Sequence, residues 1–210
     1  MLKKIMNKIV GTDQRKVILD SYLYNNTTSG YTGGSLENSN CLIVANYNDN
    51  DVFADYFLCE KAIVKCLKVE EEFSVRSIEE SSDELLGTYE HVVNCFKVDA
   101  SDSVEQLKSI YHTLQTEADY LVNLREGLVS TLTLVVFVET NHKNEVIEAV
   151  ENLLKGLSEV LGRHGIITNG IIVSSDVDIM TAAKWASLLS SKYGHILAGE
   201  VVHLASGIEG

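Results

Sequence analysis

Residues 132–138 read LTLVVFV, a run that is apolar on both faces a β-strand would present and rich in β-branched residues. Successive side chains of a strand point to opposite faces of its sheet, so a strand with one wet face alternates between apolar and polar residues. This run does not alternate. It therefore predicts a strand inside a parallel sheet that helices cover on both sides.

Two long segments with helical periodicity lie on either side of this run. The first, residues 103–124, repeats apolar residues every three or four positions, which is typical of one face of an amphipathic helix. The second, residues 145–163, repeats the pattern, and Gly165 is expected to end it because glycine tolerates the left-handed conformation after a helix. The predicted core-facing residues are Val104, Leu107, Tyr111, Leu114, Ala118 and Leu121 in the first helix, and Val146, Val150, Leu153, Leu157 and Leu161 in the second.

Strand and helix patterns alternate along the rest of the chain, which predicts parallel strands joined by helices. The fold class is therefore α/β, a three-layer α/β/α Rossmann-like sandwich with a mainly parallel sheet. We assign residues 41–210 to this single domain, and residues 1–40 to a basic N-terminal segment and a polar loop. The other predicted strands are residues 41–47, 63–69, 91–96, 167–173 and 200–206.

The composition limits the location and the partners of the chain. With 210 residues, 45% of them hydrophobic, it can bury one sizeable core. No apolar run approaches the roughly 20 residues that span a bilayer, and the start lacks the features of a secretory signal. We expect no transmembrane segment and a cytoplasmic location. The net charge of -13 disfavours nucleic acid as a partner, because it repels a phosphate backbone.

The first 16 residues differ from the rest in charge, with five basic residues and one acidic residue. Leu2, Ile5, Met6 and Ile9 follow helical spacing, which predicts a basic amphipathic helix. Such a helix packs on its own domain, which is the interpretation we favour, or makes weak contact with an anionic membrane surface or a partner.

The cysteine and histidine spacings indicate no metal site. Cys41, Cys59, Cys66 and Cys95 match neither a zinc knuckle nor a redox pair, and we interpret them as reduced thiols in apolar surroundings. The six histidines never approach each other at the i, i+4 spacing of a helical metal site.

Two blocks near the end of the chain follow the order of a helix end, a strand, a helix and a closing strand. They are residues 161–173, LGRHGIITNGIIV, and residues 185–207, WASLLSSKYGHILAGEVVHLASG. Both blocks resemble the short-chain dehydrogenase/reductase family, and residues 91–94, HVVN, resemble the strand before its Asn-Asn-Ala-Gly motif. The resemblance implies a Rossmann fold, an NAD(P) cofactor, a catalytic tyrosine and lysine with a serine, and a dimer built on the two long helices.

The cofactor motif of that family is absent. A dinucleotide needs a glycine-rich turn after the first strand, because the backbone must approach the pyrophosphate closely. Here residues 48–55, NDNDVFAD, follow the strand without a glycine, and Asp49 and Asp51 would repel a diphosphate. The glycine cluster at residues 29–35 precedes the strand and is interpreted as a turn. Residues 95–97, CFK, place bulk where the family has its Asn-Ala-Gly turn.

The catalytic pair and the substrate-covering loop are missing as well. No tyrosine lies between Tyr120 and Tyr193, and the positions of the family's tyrosine and lysine fall near Lys143 and Ile147. The proline-glycine turn and long loop of the family are replaced by a direct passage from Ser175 to the next helix. We therefore expect none of the family's catalytic residues and no cofactor.

The joint loss of these motifs indicates a chain that keeps the fold of the family without its cofactor-binding and catalytic residues. It is similar to the truncated, structural ketoreductase subdomain of polyketide synthases, which implies a non-catalytic subunit of a biosynthetic assembly. We predict such a pseudoenzyme, present as a homodimer or bound to a catalytic biosynthetic protein. The candidate interface residues are Leu153, Leu157, Trp185, Val201 and His203, with a core position as the alternative for Trp185.

Two other functions stay open at this point. The chain could be a divergent NAD(P)-dependent, ketoreductase-like oxidoreductase that uses an unrecognised acid/base. It could also be a small-ligand-binding module whose pocket occupies the position of the family's substrate site. Both hypotheses point to the loop after residues 132–138, at the carboxyl edge where open α/β sheets bind ligands. The candidate pocket residues in this loop are Glu139, Thr140, His142 and Lys143.

Overall fold

A computed structural model of the chain describes residues 36–47, 50–69, 73–83, 88–99, 102–124, 129–139, 143–191 and 193–205. The basic segment and the glycine cluster of the sequence analysis lie outside these residues, as do Thr140 and His142. The division of the chain at residue 40 stays a prediction for the same reason.

Six strands alternate with five helices along the described residues. Helices therefore make the connections between successive strands of the sheet. The strands are β1 (Asn40–Ala45), β2 (Ile63–Lys68), β3 (His91–Val98), β4 (Ser130–Val138), β5 (Ile166–Ser174) and β6 (Val201–Leu204). The helices are α1 (Asn50–Cys59), α2 (Val75–Asp83), α3 (Ser103–Leu124), α4 (Lys143–Leu161) and α5 (Ile179–Ser190), with short 3₁₀ turns at Gly162–His164 and Gly194–Leu197.

The strands form one parallel sheet in the order β2-β1-β3-β4-β5-β6. Strand β4 lies inside it, paired with β3 from His91↔Thr131 to Val98↔Val138 and with β5 over its whole length. Every residue of β4 except Phe137 is buried. The predicted three-layer α/β/α Rossmann-like sandwich with a parallel sheet is therefore confirmed.

The two faces of the sheet have separate cores, because alternate residues of each strand point to opposite sides. Even-numbered strand residues such as Val44, Leu134 and Ile172 belong to one continuous cluster with side chains of α3 and α4. On the opposite face, helices α1 and α5 bury large aromatic side chains, among them Phe57 and Trp185. Helices thus cover both faces of β4, as its apolar sequence predicts.

The buried face of helix α3 agrees with the prediction at four of six residues, since Leu114, Ala118 and Leu121 are buried and Leu107 is half-buried against the same core. Val104 and Tyr111, both expected in the core, are 63% and 53% exposed. The prediction was wrong for these two residues, and it missed Glu117, which lies on the buried face. The large side chains that α3 buries almost completely are Ile110, Leu114, Glu117, Tyr120 and Leu121.

Helix α4 approaches β5 closely at a glycine. Leu154 is buried against the sheet, and a Cβ atom on Gly170 would collide with its Cδ1 atom. After the helix, Gly165 has a φ of 76°, and its N–H donates to the Gly162 carbonyl at 3.2 Å. The expected glycine at the end of this helix is confirmed, because glycine takes the left-handed conformation without strain.

The four cysteines are free thiols. Cys41 and Cys95 are buried, and burial raises the pKa of both thiols. Cys59, the last residue of α1, is exposed, so the expectation of apolar surroundings is wrong for this residue.

The described residues contain neither a metal-binding cluster nor a membrane-spanning helix. No group of histidine, cysteine, aspartate or glutamate side chains in these ranges is arranged to hold a metal ion. None of the helices formed by the described residues combines the length and the apolar character needed to cross a bilayer.

Candidate functional site

The order of the strands reverses at β1. The chain passes from β1 to β2 on one side of it, and the strands from β3 to β6 lie on the other side. In open α/β sheets, ligands bind outside the carboxyl ends of the strands at such a switch point. The carboxyl ends of β1, β3, β4 and β5 are therefore the expected place of a site.

Asn46 ties the carboxyl ends of β1 and β3 together. Its backbone N–H donates to the Cys95 carbonyl at 3.3 Å. Its side-chain Oδ1 accepts a hydrogen bond of 2.9 Å from the Lys97 N–H, and its Nδ2 donates to the Lys97 carbonyl at 3.2 Å. The backbone N–H and carbonyl of Lys97 are therefore already hydrogen-bonded at this edge.

Strand β3 continues past the point at which the family's turn would begin. Phe96 and Val98 are buried, and the pairing with β4 extends to Val98↔Val138. The bulky residues 95–97 are therefore part of the sheet.

The connections beside this edge are short. Residues 46–49 join β1 to α1, and α1 has Asp51 in its first turn. Residues 175–178 join β5 to α5, and the Val177 N–H donates to the Ser174 carbonyl at 3.0 Å. The predicted direct passage from β5 to the next helix is confirmed.

A cleft of about 250 Å³ opens at this carboxyl edge, where α5 begins. We call it the switch-point cleft. The ring of Tyr47 meets the ring of Phe137 edge-on, with centroids 5.7 Å apart, and Phe53 meets Phe137 in the same way at 6.3 Å. Aromatic walls with a few polar groups are typical of ligand pockets. The lining residues are Tyr47, Lys97, Phe137, Val138, Glu139, Ser175, Val177 and Ile179.

Three of the lining side chains, Lys97, Glu139 and Ser175, are polar and exposed. The sheet register brings them together, because residue 97 pairs with residue 137 and residue 138 pairs with residue 174. Within the described residues, neither Lys97 nor Glu139 forms an ion pair. Their charges are therefore available to a ligand.

The structure places one of the four candidate pocket residues on the cleft. Glu139 lines it directly after β4, and Lys143 is the first residue of α4. Thr140 and His142 lie outside the described residues, so the candidate pocket as a whole stays a prediction.

Tyr47, Lys97 and Ser175 line the cleft but were not predicted as site residues from the sequence. Each lies at or just after the carboxyl end of a strand, and such ends meet at one edge of a parallel sheet. This signal was present in the sequence. The sequence does not show the order of β1, β3, β4 and β5 in the sheet, which makes these ends neighbours.

The candidate interface residues differ in exposure. Leu153 and Leu157 of α4 are half-buried against the core of their own chain, as is Val201 of β6. Trp185 is 4% exposed and belongs to the core under α5. His203 is exposed, and its Nε2 lies 2.8 Å from a glutamate oxygen of α4. The contact of these residues with a partner stays a prediction.

The predicted positions of the family's tyrosine and lysine, near Lys143 and Ile147, lie at the start of α4. Ile147 is half-buried against the core, and the sequence of α4 contains no tyrosine. A phenol and an ammonium group four residues apart therefore have no counterpart on this helix.

Proteins of known structure share this fold, although no protein-family model and no curated protein matches the sequence. The enoyl-[acyl-carrier-protein] reductase (NADH) from Aquifex aeolicus VF5 gives a TM-score of 0.67 at 18% identity, over 82% of this chain and 97% of that chain. A short-chain dehydrogenase/reductase from Serratia marcescens BCRC 10948 gives 0.62 at 12% identity, over 84% and 100%. A dehydrogenase/reductase from Sinorhizobium meliloti 1021 gives 0.63 at 14% identity, over 87% and 100%. The chain thus has the fold of the short-chain dehydrogenases/reductases, and identities this low show the fold alone.

Proposed function

We propose that the chain is a non-catalytic structural or protein-interaction subunit of a biosynthetic assembly, built on the short-chain dehydrogenase/reductase fold. The observation that supports this best is the passage from β1 to α1, which has no glycine and places Asp51 in the first turn of the helix; the bridge from Asn46 to the backbone of Lys97 adds to it. The proposed subunit binds no dinucleotide and is located in the cytoplasm.

Dinucleotide binding at this edge would need a close approach of the backbone to the pyrophosphate and a helix N-terminus without a competing negative charge. Residues 46–49 contain no glycine, and Asp51 places a carboxylate in the first turn of α1. Such a carboxylate stabilises the helix but repels a phosphate. The switch-point cleft, at about 250 Å³, is also smaller than the roughly 300 to 1,000 Å³ of pockets for drug-sized ligands.

The start of α4 supports the same proposal. Reduction of a carbonyl needs a group that donates a proton to the developing alkoxide. The family uses a tyrosine whose pKa a lysine lowers, and here Ile147 lies near the lysine position and no tyrosine is present on the helix. An enzyme built on this chain would need a different acid.

A structural subunit needs a surface for its partner. Helices α3 and α4 pack on each other and expose Val104, Tyr111 and Val160 at 63%, 53% and 59%. Val104 and Tyr111 lie seven residues apart in α3 and therefore share one face of that helix, and exposed apolar side chains that lie together mark contact surfaces. We propose that this face contacts a second copy of the chain or a catalytic protein of the assembly.

Isothermal titration calorimetry with NADH and NADPH tests the absence of a cofactor. We expect no saturable heat for either compound up to about 1 mM, with the NADH-dependent enoyl reductase of the same fold as the positive control. Micromolar binding of either cofactor would overturn the proposal and favour the divergent oxidoreductase.

The variant Asn46→Ala tests whether the side-chain bridge or the connection after β1 excludes the cofactor. It removes the side-chain bridge but restores no glycine. We expect it to remain without cofactor binding, because Asp51 and the short connection are unchanged. Binding gained by the variant alone would assign the exclusion of the cofactor to the bridge.

A further inference from the structure

The switch-point cleft combines an aromatic surface with one cation and one anion that form no ion pair within the described residues. We propose that this cleft binds a small zwitterion, of the class of the aromatic α-amino acids. The proposal goes beyond the structural role, because it gives the subunit a ligand.

The walls of the cleft select a flat apolar group. The rings of Tyr47 and Phe137 meet at an angle of 80°, which is one of the arrangements that aromatic rings prefer. Val177 and Ile179 line the cleft at the start of α5. A third ring placed among these side chains would extend the edge-to-face packing and lose its contact with water.

The two charges select the other end of the ligand. Lys97 lies near the end of β3, and Glu139 follows β4, with Lys97 paired to Phe137 across the two strands. A ligand carboxylate beside the Lys97 ammonium and a ligand ammonium beside the Glu139 carboxylate would use both charges. Ser175 adds a hydroxyl, which can donate to a carboxylate or accept from an ammonium.

Ligands with a single charge fit this pair less well. An anion would meet the Glu139 carboxylate, and a cation would meet the Lys97 ammonium. At the packing density of protein interiors, a cleft of about 250 Å³ holds roughly ten to fifteen non-hydrogen atoms. That is the size of one aromatic amino acid.

Three probes with the same aromatic body test the proposal. L-Phenylalanine has both charges, phenylpropionate lacks the ammonium, and phenethylamine lacks the carboxylate. In amide NMR spectra of the full chain, we expect saturable shifts at residues 47, 97 and 175 with L-phenylalanine. Binding of the two singly charged probes should be roughly three- to fivefold weaker, as expected for the loss of one exposed ion pair.

Two substitutions assign the charges. Lys97→Met should weaken L-phenylalanine and phenylpropionate but not phenethylamine, and Glu139→Gln should weaken L-phenylalanine and phenethylamine but not phenylpropionate. Lys155→Met, which removes an exposed lysine of α4 on the other side of the sheet, is the control and should bind all three probes as the wild type does.

Three results would overturn the proposal. The first is no saturable shift with any probe up to about 10 mM. The second is phenylpropionate or phenethylamine binding as tightly as L-phenylalanine, because one of the two charges would then be unused. The third is unchanged affinity in both Lys97→Met and Glu139→Gln, which would place the bound probes outside the cleft.

Discussion

The side-chain amide of Asn94, in the middle of β3, donates a hydrogen bond of 2.6 Å to Oε2 of Glu117 on α3. Both residues are fully buried, and Glu117 is the only Asp, Glu, Lys or Arg among the buried residues that the structure describes. Its Oε1 atom and the Asn94 Oδ1 atom have no hydrogen-bond partner in that part of the chain. Burial raises the pKa of Glu117 to about 8, although the hydrogen bond from Asn94 acts in the opposite direction. The carboxyl is therefore mainly protonated at neutral pH.

This buried carboxyl predicts that the fold becomes less stable as the pH rises. Its ordinary pKa is 4.5, so between that pH and about pH 8 the folded chain holds a proton that the unfolded chain has released. The contribution is complete below pH 4.5 and is lost as the pH rises through about 8. Since one pKa unit corresponds to about 1.4 kcal/mol, we expect the free energy of unfolding to fall by a few kcal/mol. Urea unfolding at a series of pH values measures it.

The variant Glu117→Gln isolates this effect from other titrating groups. Glutamine keeps the shape of the side chain and an oxygen acceptor for Asn94, but it does not ionise. We expect the variant to be more stable than the wild type at pH 8 and to show a much flatter pH profile. Glu105→Gln, an exposed position on the same helix, serves as the control. Parallel profiles for the wild type and Glu117→Gln would attribute the slope to other groups.

Two glycines offer a matched pair of substitutions. A Cβ on Gly170 of β5 would collide with Leu154, whereas Gly156 of α4 has no atom within 4 Å of its Cβ position. We expect Gly170→Ala to destabilise the protein by about 1–3 kcal/mol through overpacking, and Gly156→Ala to stabilise it by about 0.5–1 kcal/mol through helix propensity. Thermal or urea unfolding measures both. A Gly170→Ala protein as stable as the wild type would contradict the close approach of α4 to β5.

The sequence predicted the sheet better than the site. A strand that is buried on both faces of its sheet has an apolar sequence, as residues 132–138 do. The parallel sheet could therefore be inferred from the local sequence pattern alone. The buried position of Glu117 could not be inferred, because a carboxyl within an amphipathic helix normally indicates the solvent-exposed face. Only the fold places Asn94 opposite it. The missing glycine after β1 is visible in the sequence. The bridge from Asn46 to Lys97 depends on β1 lying beside β3, which no local pattern predicts.

Removal of the Asn46 side chain should loosen this junction locally. Asn46→Ala loses the two side-chain hydrogen bonds to Lys97, and because the site is solvent-accessible we expect a loss of only about 1 kcal/mol in the free energy of unfolding. The Lys97 amide, which donates to Oδ1, should exchange with solvent faster in hydrogen-exchange NMR. Asn152→Ala, at an exposed position of α4, should leave that exchange rate unchanged. An equal rate in the wild type and Asn46→Ala would mean that the bridge is not maintained in solution.

The proposed contact through α3 and α4 can be tested best at Tyr111. Its side chain is 53% exposed, whereas Leu153 and Leu157 are half-buried against their own core, so a charge at either leucine would disturb the fold together with the contact. We expect Tyr111→Glu to convert a dimer into a monomer in size-exclusion chromatography with light scattering, while circular dichroism shows native secondary structure. Val129→Glu changes a residue that is 54% exposed but lies outside both helices, so this control should remain a dimer. A monomeric wild type, or a Tyr111→Glu protein of dimer mass, would contradict self-association through this face.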